Sequence, residues 1–251
     1  KPILGCEIYV SVGNYQDRIT KQDSTGKKWN YHHLVLLCMN ETGYKNLMKL
    51  VSIGYLEGFY YRPRVDKELL RKYNEGLIAT SACLAGEVTH YASIGDYDNA
   101  QKAAIEYSEI FPDRFYLELQ NHDIPEEKQA HKILKKLSEE LNLPLVCTND
   151  CHYAHEDHWQ AHDVLFCLGT GKNRNDANRM RYEPRKFYIK SADEMWDLFK
   201  DYPSALENTI KIADQCNVEI PMGDYHLPRF PIPEQTGAQS PDDYLKKLCQ
   251  E

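Results

Sequence analysis

Five side chains of the kinds that bind metal ions lie in, or directly after, separate aliphatic runs of the sequence. Glu7 lies in the first run, His33 opens the second, and Cys83 follows the third. Asp150 and His152 follow the last run, and alternate positions of an extended segment share one face. Carboxylate, imidazole and thiolate groups are ligands of Zn²⁺ and related transition ions. These residues therefore predict one metal site built from distant parts of the chain.

Other histidines offer alternatives that the sequence supports less well. His155, His158 and His162 have helical spacing, but no Glu follows His158 as it would in the His-Glu-x-x-His zinc motif. A solvated helix face is the favoured interpretation of these three. His122 follows another aliphatic run and is a further candidate for the same site, although a structural role is favoured for it as well.

Alternating strands and helices must position the five candidate ligands. Helical patterns lie between the aliphatic runs, most clearly over residues 126–142, where apolar residues recur at i, i+3, i+4, i+7 and i+11. This alternation predicts parallel β/α units, arranged as an open doubly wound sheet or as a barrel. In both arrangements the strand ends share one face, which brings the candidate ligands together. The predicted strands lie at 3–10, 33–37, 77–80, 115–119 and 143–148.

After about residue 190 the pattern becomes helical only. A capping box at 191–194 and Pro203 each begin a helix. The segment 227–239 is rich in proline and predicts an extended linker, and Ser240 followed by proline predicts a new helix start. Because the sequence does not begin with Met and its last residues continue a helical pattern, we expect a piece of a longer protein.

The charge of the chain is acidic overall and basic in one stretch. A formal net charge of −8 argues against binding nucleic acid through overall charge. Residues 171–190 depart from this balance, with tyrosine and phenylalanine among the basic residues, and predict contact with a phosphate backbone. The alternative is a segment whose arginines pair with nearby carboxylates and hold a domain junction. The candidate nucleic-acid-binding residues are Lys172, Arg174, Arg179, Arg181 and Lys186.

Several classes of protein are excluded by what the sequence lacks. No apolar run approaches the ~20 residues of a membrane span, and no signal peptide opens the chain. The eight cysteines are scattered, most of them within apolar runs, which indicates a reduced cytoplasmic protein. A Gly-rich phosphate loop, a nucleophile elbow and a dinucleotide fingerprint are all absent. Their absence argues against kinases, α/β-hydrolases and NAD enzymes.

The motifs around the candidate ligands resemble those of one family. They occupy residues 1–7, 33–37, 40–47, 75–86 and 148–153. In this order they are similar to the PHP (polymerase and histidinol phosphatase) domain of the bacterial replicative DNA polymerase III alpha subunits, which are C-family DNA polymerases. The resemblance extends over essentially the whole chain, including the basic stretch and the proline-rich passage.

The resemblance implies a fold and a metal site. The fold it implies is of the α/β class, a distorted parallel β/α barrel that is incomplete at its N-terminus and is followed by a small helical segment and a linker. The implied metal is Zn or Mn at the PHP site, with Mg for polymerisation in the parent protein. The family's His-x-His and Asp-His motifs are expected upstream of Lys1, so only part of the PHP site is expected in this chain. The implied ligands are Glu7, His33, Cys83, Asp150 and His152.

The resemblance also implies a function for the parent and for this region. The parent is expected to be a cytoplasmic DNA-directed DNA polymerase that acts on DNA and deoxynucleoside triphosphates in replication, without membrane attachment. The PHP region is expected to be a metal-dependent phosphoesterase resembling a 3′–5′ exonuclease, and no catalytic residue for polymerisation is expected in the chain. The alternative is a metal-stabilised platform that docks a separate proofreading exonuclease subunit beside other replisome subunits.

The expected organisation follows from the same resemblance. A free-standing enzyme resembling histidinol phosphatase is disfavoured by the linker and the new helix after residue 240. The predicted segments are the PHP domain at 1–190, a helical extension at 191–226, the linker at 227–239 and the start of the polymerase core at 240–251.

Overall fold

The computed structural model describes residues 1–223, 225, 227–228 and 230–250 of the chain. Its strands are β1 (Gly5–Ser11), β2 (Lys21–Gln22), β3 (Lys28–Trp29), β4 (Tyr31–Cys38), β5 (Phe59–Tyr60), β6 (Arg62–Val65), β7 (Leu77–Thr80), β8 (Phe115–Leu119) and β9 (Leu145–Cys147). Its α-helices are α1 (Glu41–Leu56), α2 (Lys67–Tyr73), α3 (Glu87–Ser93), α4 (Tyr97–Ile110), α5 (Pro125–Leu141), α6 (Trp159–Thr170), α7 (Ala192–Leu198), α8 (Pro203–Gln215) and α9 (Pro241–Gln250).

A seven-stranded mixed sheet forms the centre of the fold, in the order β5-β6-β1-β4-β7-β8-β9. Strands β1 and β6 are parallel to each other, as are β7, β8 and β9. Strand β4 is antiparallel to both of its neighbours, β1 and β7, and β5 is antiparallel to β6. The α/β class and the mostly parallel sheet of the expected distorted barrel are therefore confirmed.

The reversed direction of β4 decides where its first residues lie. His33 pairs with Tyr9 of β1, and Val35 pairs with both Glu7 and Thr80. Because β4 runs against its neighbours, its N-terminal half lies beside the C-terminal ends of β1 and β7. His33 therefore reaches the edge of the sheet at which the parallel strands end, although it stands near the start of its own strand.

The two faces of the sheet are distinguished by alternation along β4. Leu34, Leu36 and Cys38 are buried in the main core, where helices α1, α3, α4 and α5 cover the sheet. His33 and Val35 alternate with them and face the opposite side, where they are only partly buried. The period of two thus sends the candidate ligand away from the main core.

Capping residues explain where the helices begin. Asn40 caps α1 by accepting a hydrogen bond from the Gly43 amide at 3.0 Å, and Asp66 caps α2 by accepting one from the Leu69 amide at 2.9 Å. The start of α1 also lies very close to the loop before β7. A Cβ atom on Gly43 would lie 1.9 Å from the Gly76 carbonyl oxygen, so only glycine fits at Gly43 without moving the helix.

Helix α8 packs on the second face of the sheet. Ile212 and Cys216 form a buried cluster with Ile78, Tyr116 and Val146 of the parallel strands. The Asn208 side chain also donates a hydrogen bond to the Leu145 carbonyl of the edge strand β9, at 2.8 Å. Helix α8, which lies in the predicted helical extension, therefore belongs to the same compact unit as the strands.

The chain divides into two compact units, residues Lys1–Glu219 and Ile220–Glu251. The second unit contains a 3₁₀ turn at Glu234–Thr236 and the predicted helix after Ser240, which is α9. Residues 224, 226, 229 and 251, on which parts of the predicted extension, linker and polymerase-core start fall, lie outside the described residues. The predicted domain boundaries stay predictions. Within the described residues, no helix has both the length and the apolar character that crossing a membrane requires.

Candidate metal centre

Three of the five predicted ligands converge at one point beside the sheet. Glu7 projects from β1, His33 from β4 and Cys83 from the loop after β7. The His33 Nδ1 atom lies 3.0 Å from Glu7 Oε1 and 3.5 Å from Cys83 Sγ. The carboxylate, imidazole and thiol ligand atoms all lie within 4.8 Å of one another. This is a group of donors that can hold a metal ion.

Backbone contacts hold Cys83 beside His33. The His33 amide donates to the Ala85 carbonyl at 3.0 Å, and the Gly86 amide donates to the Cys83 carbonyl at 2.8 Å. Ala82, directly before the cysteine, has a φ of 57°, in the left-handed region that turns the chain sharply. These hydrogen bonds attach the loop after β7 to β4, and they hold the Cys83 and His33 side chains next to each other.

Asp150 and His152 reach the same region from the loop after β9. Asp150 lines a cavity of about 330 Å³ together with Glu7 and Cys83. His152 Nε2 lies 3.6 Å from Asp150 Oδ1, but its ring packs against Tyr182, with 4.2 Å between the ring centroids. The structure therefore places Asp150 in the wall of the cavity and His152 next to Asp150, outside the group of three converging donors.

The cavity concentrates negative charge around a partly buried thiol. Burial, and then the neighbouring carboxylates of Asp150 and Glu7, raise the pKa of Cys83 to about 12. Burial also raises the pKa of Glu118, which β8 places in the same cavity wall, although hydrogen bonds from Thr148 and Thr80 oppose that rise. Carboxylate oxygens, an imidazole nitrogen and a sulfur around one space are a donor set that fits a divalent cation.

Comparison with known proteins assigns a family to the part of the chain that contains Glu7, His33 and Cys83. Residues 1–122 match the PHP domain family. These residues belong to the PHP domain family. Over 252 residues, 100% of this chain and 21% of the relative, it is 43% identical to the DNA polymerase III subunit alpha of Borreliella burgdorferi.

Two further relatives agree with this assignment. The corresponding subunit of Treponema pallidum is 43% identical over 249 residues, 99% of the chain and 21% of the relative. That of Thermus aquaticus is 39% identical over 255 residues, 99% of the chain and 20% of the relative. The chain therefore spans about a fifth of the length of these curated relatives.

Two residues near the converging donors are missing from the sequence-based candidates. Glu118 lies inside the apolar strand β8. A single acidic residue within an apolar run could have indicated a functional role for it. Tyr182 lies in the basic stretch, and burial together with the charges of Asp150, Cys83 and Glu7 raises its pKa. The folding back of residues 180–190 against the site is what brings this ring there, and the sequence does not show that contact.

His122, an alternative candidate, contacts the PHP site through the backbone. Its ring is fully buried and stacks on Phe187, with centroids 4.1 Å apart. Nδ1 lies 2.6 Å from Glu127 Oε1, and Nε2 lies 3.0 Å from the carbonyl oxygen of Asn149. His122 therefore links α5 to the residue just before Asp150, which is the structural role that was favoured.

The remaining histidine candidates are separated from the converging donors. His155 and His158 are exposed, as a solvated face predicts. His162 is partly buried, with its ring 5.0 Å from that of Tyr182. Among the described residues, these three histidines form no metal-binding group.

The basic stretch of the PHP chain makes mainly internal contacts. Arg174 Nε and Arg179 Nη2 both donate to Asp163 Oδ2, at 3.1 and 2.8 Å. Arg181 donates to the Asp176 carbonyl at 2.8 Å, and Lys186 pairs with Asp123. These contacts agree with the alternative in which the stretch is structural. Nucleic-acid contact by Lys172, Arg174, Arg179, Arg181 and Lys186 stays a prediction.

Proposed function

We propose that the chain is the PHP region of the alpha subunit of a bacterial replicative DNA polymerase III. Identity of 39–43% over 99–100% of the chain to three such subunits supports this proposal. The parent would be a cytoplasmic enzyme that extends DNA from deoxynucleoside triphosphates with Mg²⁺, in complex with other replisome subunits. No catalytic residue for polymerisation is assigned within this chain.

The PHP region itself is proposed to be a metal-dependent phosphoesterase that removes nucleotides from a 3′ end. The observation that carries this proposal is the convergence of the Glu7, His33 and Cys83 ligand atoms within 4.8 Å. Asp150 in the same cavity would supply a further oxygen ligand. His152, whose Nε2 atom lies 3.6 Å from Asp150 Oδ1, would orient that carboxylate. Bound Zn²⁺ or Mn²⁺ would supply a Lewis acid that polarises a phosphoester.

The residues around the donors have definable tasks in this activity. Glu118 ties β7, β8 and β9 together, since it accepts hydrogen bonds from Thr80 and Thr148 and from Gln120 at 2.8 Å. This network fixes the floor of the cavity. Tyr182 packs against His152, with 4.2 Å between the ring centroids, and would hold that imidazole beside Asp150.

A second candidate function is a metal-stabilised platform on which a separate proofreading exonuclease subunit docks. The supporting observation is that the three converging donors come from β1, β4 and the loop after β7. An ion held there cross-links three parts of the fold. At a free concentration of 100 times its dissociation constant, such an ion stabilises the folded state by about 3 kcal/mol.

The experiment that tests the site replaces donors in the complete protein. We expect Asp150→Ala with His152→Ala, and separately Glu7→Gln with Cys83→Ser, to lower the bound metal and the melting temperature of this region. Polymerisation on a primed template should persist, because its catalytic residues lie elsewhere. The matched control is His155→Ala with His158→Ala, which removes two exposed imidazoles.

The outcomes separate the two candidate functions. Loss of 3′ exonuclease activity together with the metal supports the phosphoesterase. Loss of metal and of stability, in a protein that has no such activity before mutation, supports the platform. Unchanged metal stoichiometry in both donor variants would contradict the metal site altogether.

A further inference from the structure

A second cavity, lined by arginines and aromatic rings, lies beside the metal centre. It has a volume of about 290 Å³ and is formed between one face of α6 and the segment 174–185. Trp159, His162, Asp163 and Phe166 follow the i, i+3, i+4, i+7 spacing of a single helix face. We refer to this space as the arginine cavity.

The arginine cavity carries a positive charge that its own carboxylates do not cancel. Four arginines line it, at positions 174, 179, 181 and 185, against Asp163 and Glu183. Arg179 is bound at both ends of the Asp163 carboxylate, with Nη1 2.5 Å from Oδ1 and Nη2 2.8 Å from Oδ2. This pair forms a fixed, neutral part of the wall, and the excess of positive charge lies with the other arginines.

Two of these arginines keep donors available. Arg174 uses Nε on Asp163, and Arg185 uses Nε on Glu183, each at 3.1 Å. In the part of the chain that the structure describes, the terminal nitrogens of Arg174 and Arg185 donate no hydrogen bond. The planar fork of arginine matches phosphate oxygens with two parallel hydrogen bonds. The cavity thus offers donors of the kind that bind a phosphate group.

The rest of the wall is aromatic. Tyr153, Phe166 and Tyr182 line the same space, and so does Trp159, over whose ring the Arg185 guanidinium lies at 3.4 Å from the centroid. Aromatic side chains are platforms on which nucleic-acid bases stack without regard to sequence. A volume of about 290 Å³ lies at the lower limit of ligand pockets, roughly 300 Å³, so the cavity suits one small ligand.

Tyr182 connects the arginine cavity with the metal centre. Its ring lines the cavity on one side and packs against His152 on the other, with centroids 4.2 Å apart. The charges of Asp150, Cys83 and Glu7 act on the same phenol group. Tyr182 therefore lies between the arginine cavity and His152.

We propose that the arginine cavity binds a nucleoside 5′-monophosphate unit, with its base among the aromatic rings and its phosphate on Arg174 and Arg185. This assignment rests on the proposed phosphoesterase function, because a 3′ exonuclease releases such a unit. The unit is either the free product or the end of a strand, and both present the same chemistry to the cavity.

The test is isothermal titration calorimetry of deoxyadenosine 5′-monophosphate (dAMP) into the complete protein with EDTA present. We expect binding that Arg174→Gln with Arg185→Gln weakens at least about tenfold, since each change removes charge-assisted hydrogen bonds. Lys132→Gln with Lys135→Gln is the matched control, because it removes the same charge at two exposed lysines outside the cavity. This control should change the affinity less than twofold.

Further arms test the base and separate this proposal from the metal site. Inorganic phosphate and deoxyadenosine, each alone, should bind more weakly than dAMP, and single-stranded DNA should compete with dAMP if strand ends also enter. Glu7→Gln with Cys83→Ser should leave the dAMP affinity unchanged. Nucleotide binding in the arginine cavity can therefore be demonstrated even if the protein has no hydrolytic activity. Absence of dAMP binding at millimolar concentration overturns the proposal. Equal weakening by the arginine and lysine pairs, or equal affinity for phosphate and dAMP, also overturns it.

Discussion

At the scale of single residues, His122 shows how a buried polar side chain fixes a loop. Both of its ring nitrogens face oxygen atoms, one in Glu127 and one in the backbone of Asn149. Glu127 also accepts a hydrogen bond from the His122 amide at 2.7 Å. The pair therefore holds the residue before Asp150, whose own φ of 37° lies in the left-handed region.

We expect His122→Ala to lower the free energy of unfolding by about 3 kcal/mol. The substitution leaves the buried Glu127 carboxylate without its imidazole partner, and breaking a buried pair in this way costs roughly 3–5 kcal/mol. Urea titration at neutral pH measures the loss. His155→Ala, at an exposed position, should cost less than about 0.5 kcal/mol, and equal losses in the two variants would contradict this account.

The sequence predicted some site residues and not others for identifiable reasons. Glu7, His33 and Cys83 could be found because strand ends meet at one edge, and the structure brings their ligand atoms together. Glu118 could not be found, because its role depends on which strands pair across the sheet. Tyr182 could not be found either, since a distant loop folds back to place it.

At the scale of elements, the β2–β3 hairpin is fastened by one carboxylate. Asp23 accepts hydrogen bonds from the amides of Thr25 and Lys27 and from the Trp29 indole, at 2.9–3.0 Å. Its Oδ2 atom also lies 2.9 Å from Nε2 of His90 on α3. The hairpin is thus attached to the main unit through the Asp23–His90 contact.

This attachment predicts a loss of stability in acid. Burial lowers the pKa of His90 in the folded state, although its hydrogen bond to Asp23 opposes that shift. The unfolded chain therefore takes up a proton at this position below about pH 6.5, where the folded chain does not, and stability falls as the pH falls. The groups that face His90 are Asp23, Lys27, Trp29, His32, Tyr91 and Asp96.

We expect His90→Gln to reduce the difference in unfolding free energy between pH 7.5 and pH 5.5 by up to about 1.4 kcal/mol. Glutamine keeps a donor toward Asp23 and has no titrating proton. Urea unfolding at the two pH values measures the difference, with His158→Gln as the exposed control. A difference that is the same in wild type and His90→Gln would show that this histidine does not contribute.

The elements themselves were largely predictable, whereas their directions were not. The helix expected over 126–142 is observed as Pro125–Leu141, since an apolar face at helical spacing and a charged opposite face leave little choice. The direction of strand β4 could not be predicted from the sequence. Its aliphatic run fits a parallel or an antiparallel strand equally well. Its direction against β1 follows from the connection through β2 and β3, and its direction against β7 from the connection through α1, β5, β6 and α2.

At the scale of the whole molecule, the division after Glu219 predicts where the chain is cut. Met222, Tyr225 and Leu227 are 89%, 94% and 84% exposed, and the described residues between 220 and 230 belong to no helix or strand. We expect chymotrypsin to cut first after Tyr225, because exposed backbone without regular structure enters a protease site most readily. Mass spectrometry identifies the fragment.

Two comparisons check this prediction. Tyr225→Ser should slow the first cut, while the fragment containing Lys1–Glu219 should persist in wild type. Tyr61 is 74% exposed, but it lies between the paired strands β5 and β6 and should be cut later. A first cut after Tyr61 would contradict the division of the chain.

The pairing of β1 with β4 has a consequence for ion size. Glu7 and His33 stand on strands whose spacing is set by the backbone hydrogen-bond ladder at roughly 4.8 Å, and the Cys83 loop is fastened to the same ladder. The distance between the backbones of these two residues cannot increase unless that hydrogen-bond ladder breaks. Calcium needs six to eight oxygen ligands at about 2.3–2.6 Å, whereas zinc accepts four mixed ligands at about 2.0–2.3 Å. A donor set with one nitrogen and one sulfur on this fixed backbone spacing therefore favours zinc over calcium, and exchanging loops alone would not change the spacing of the strands.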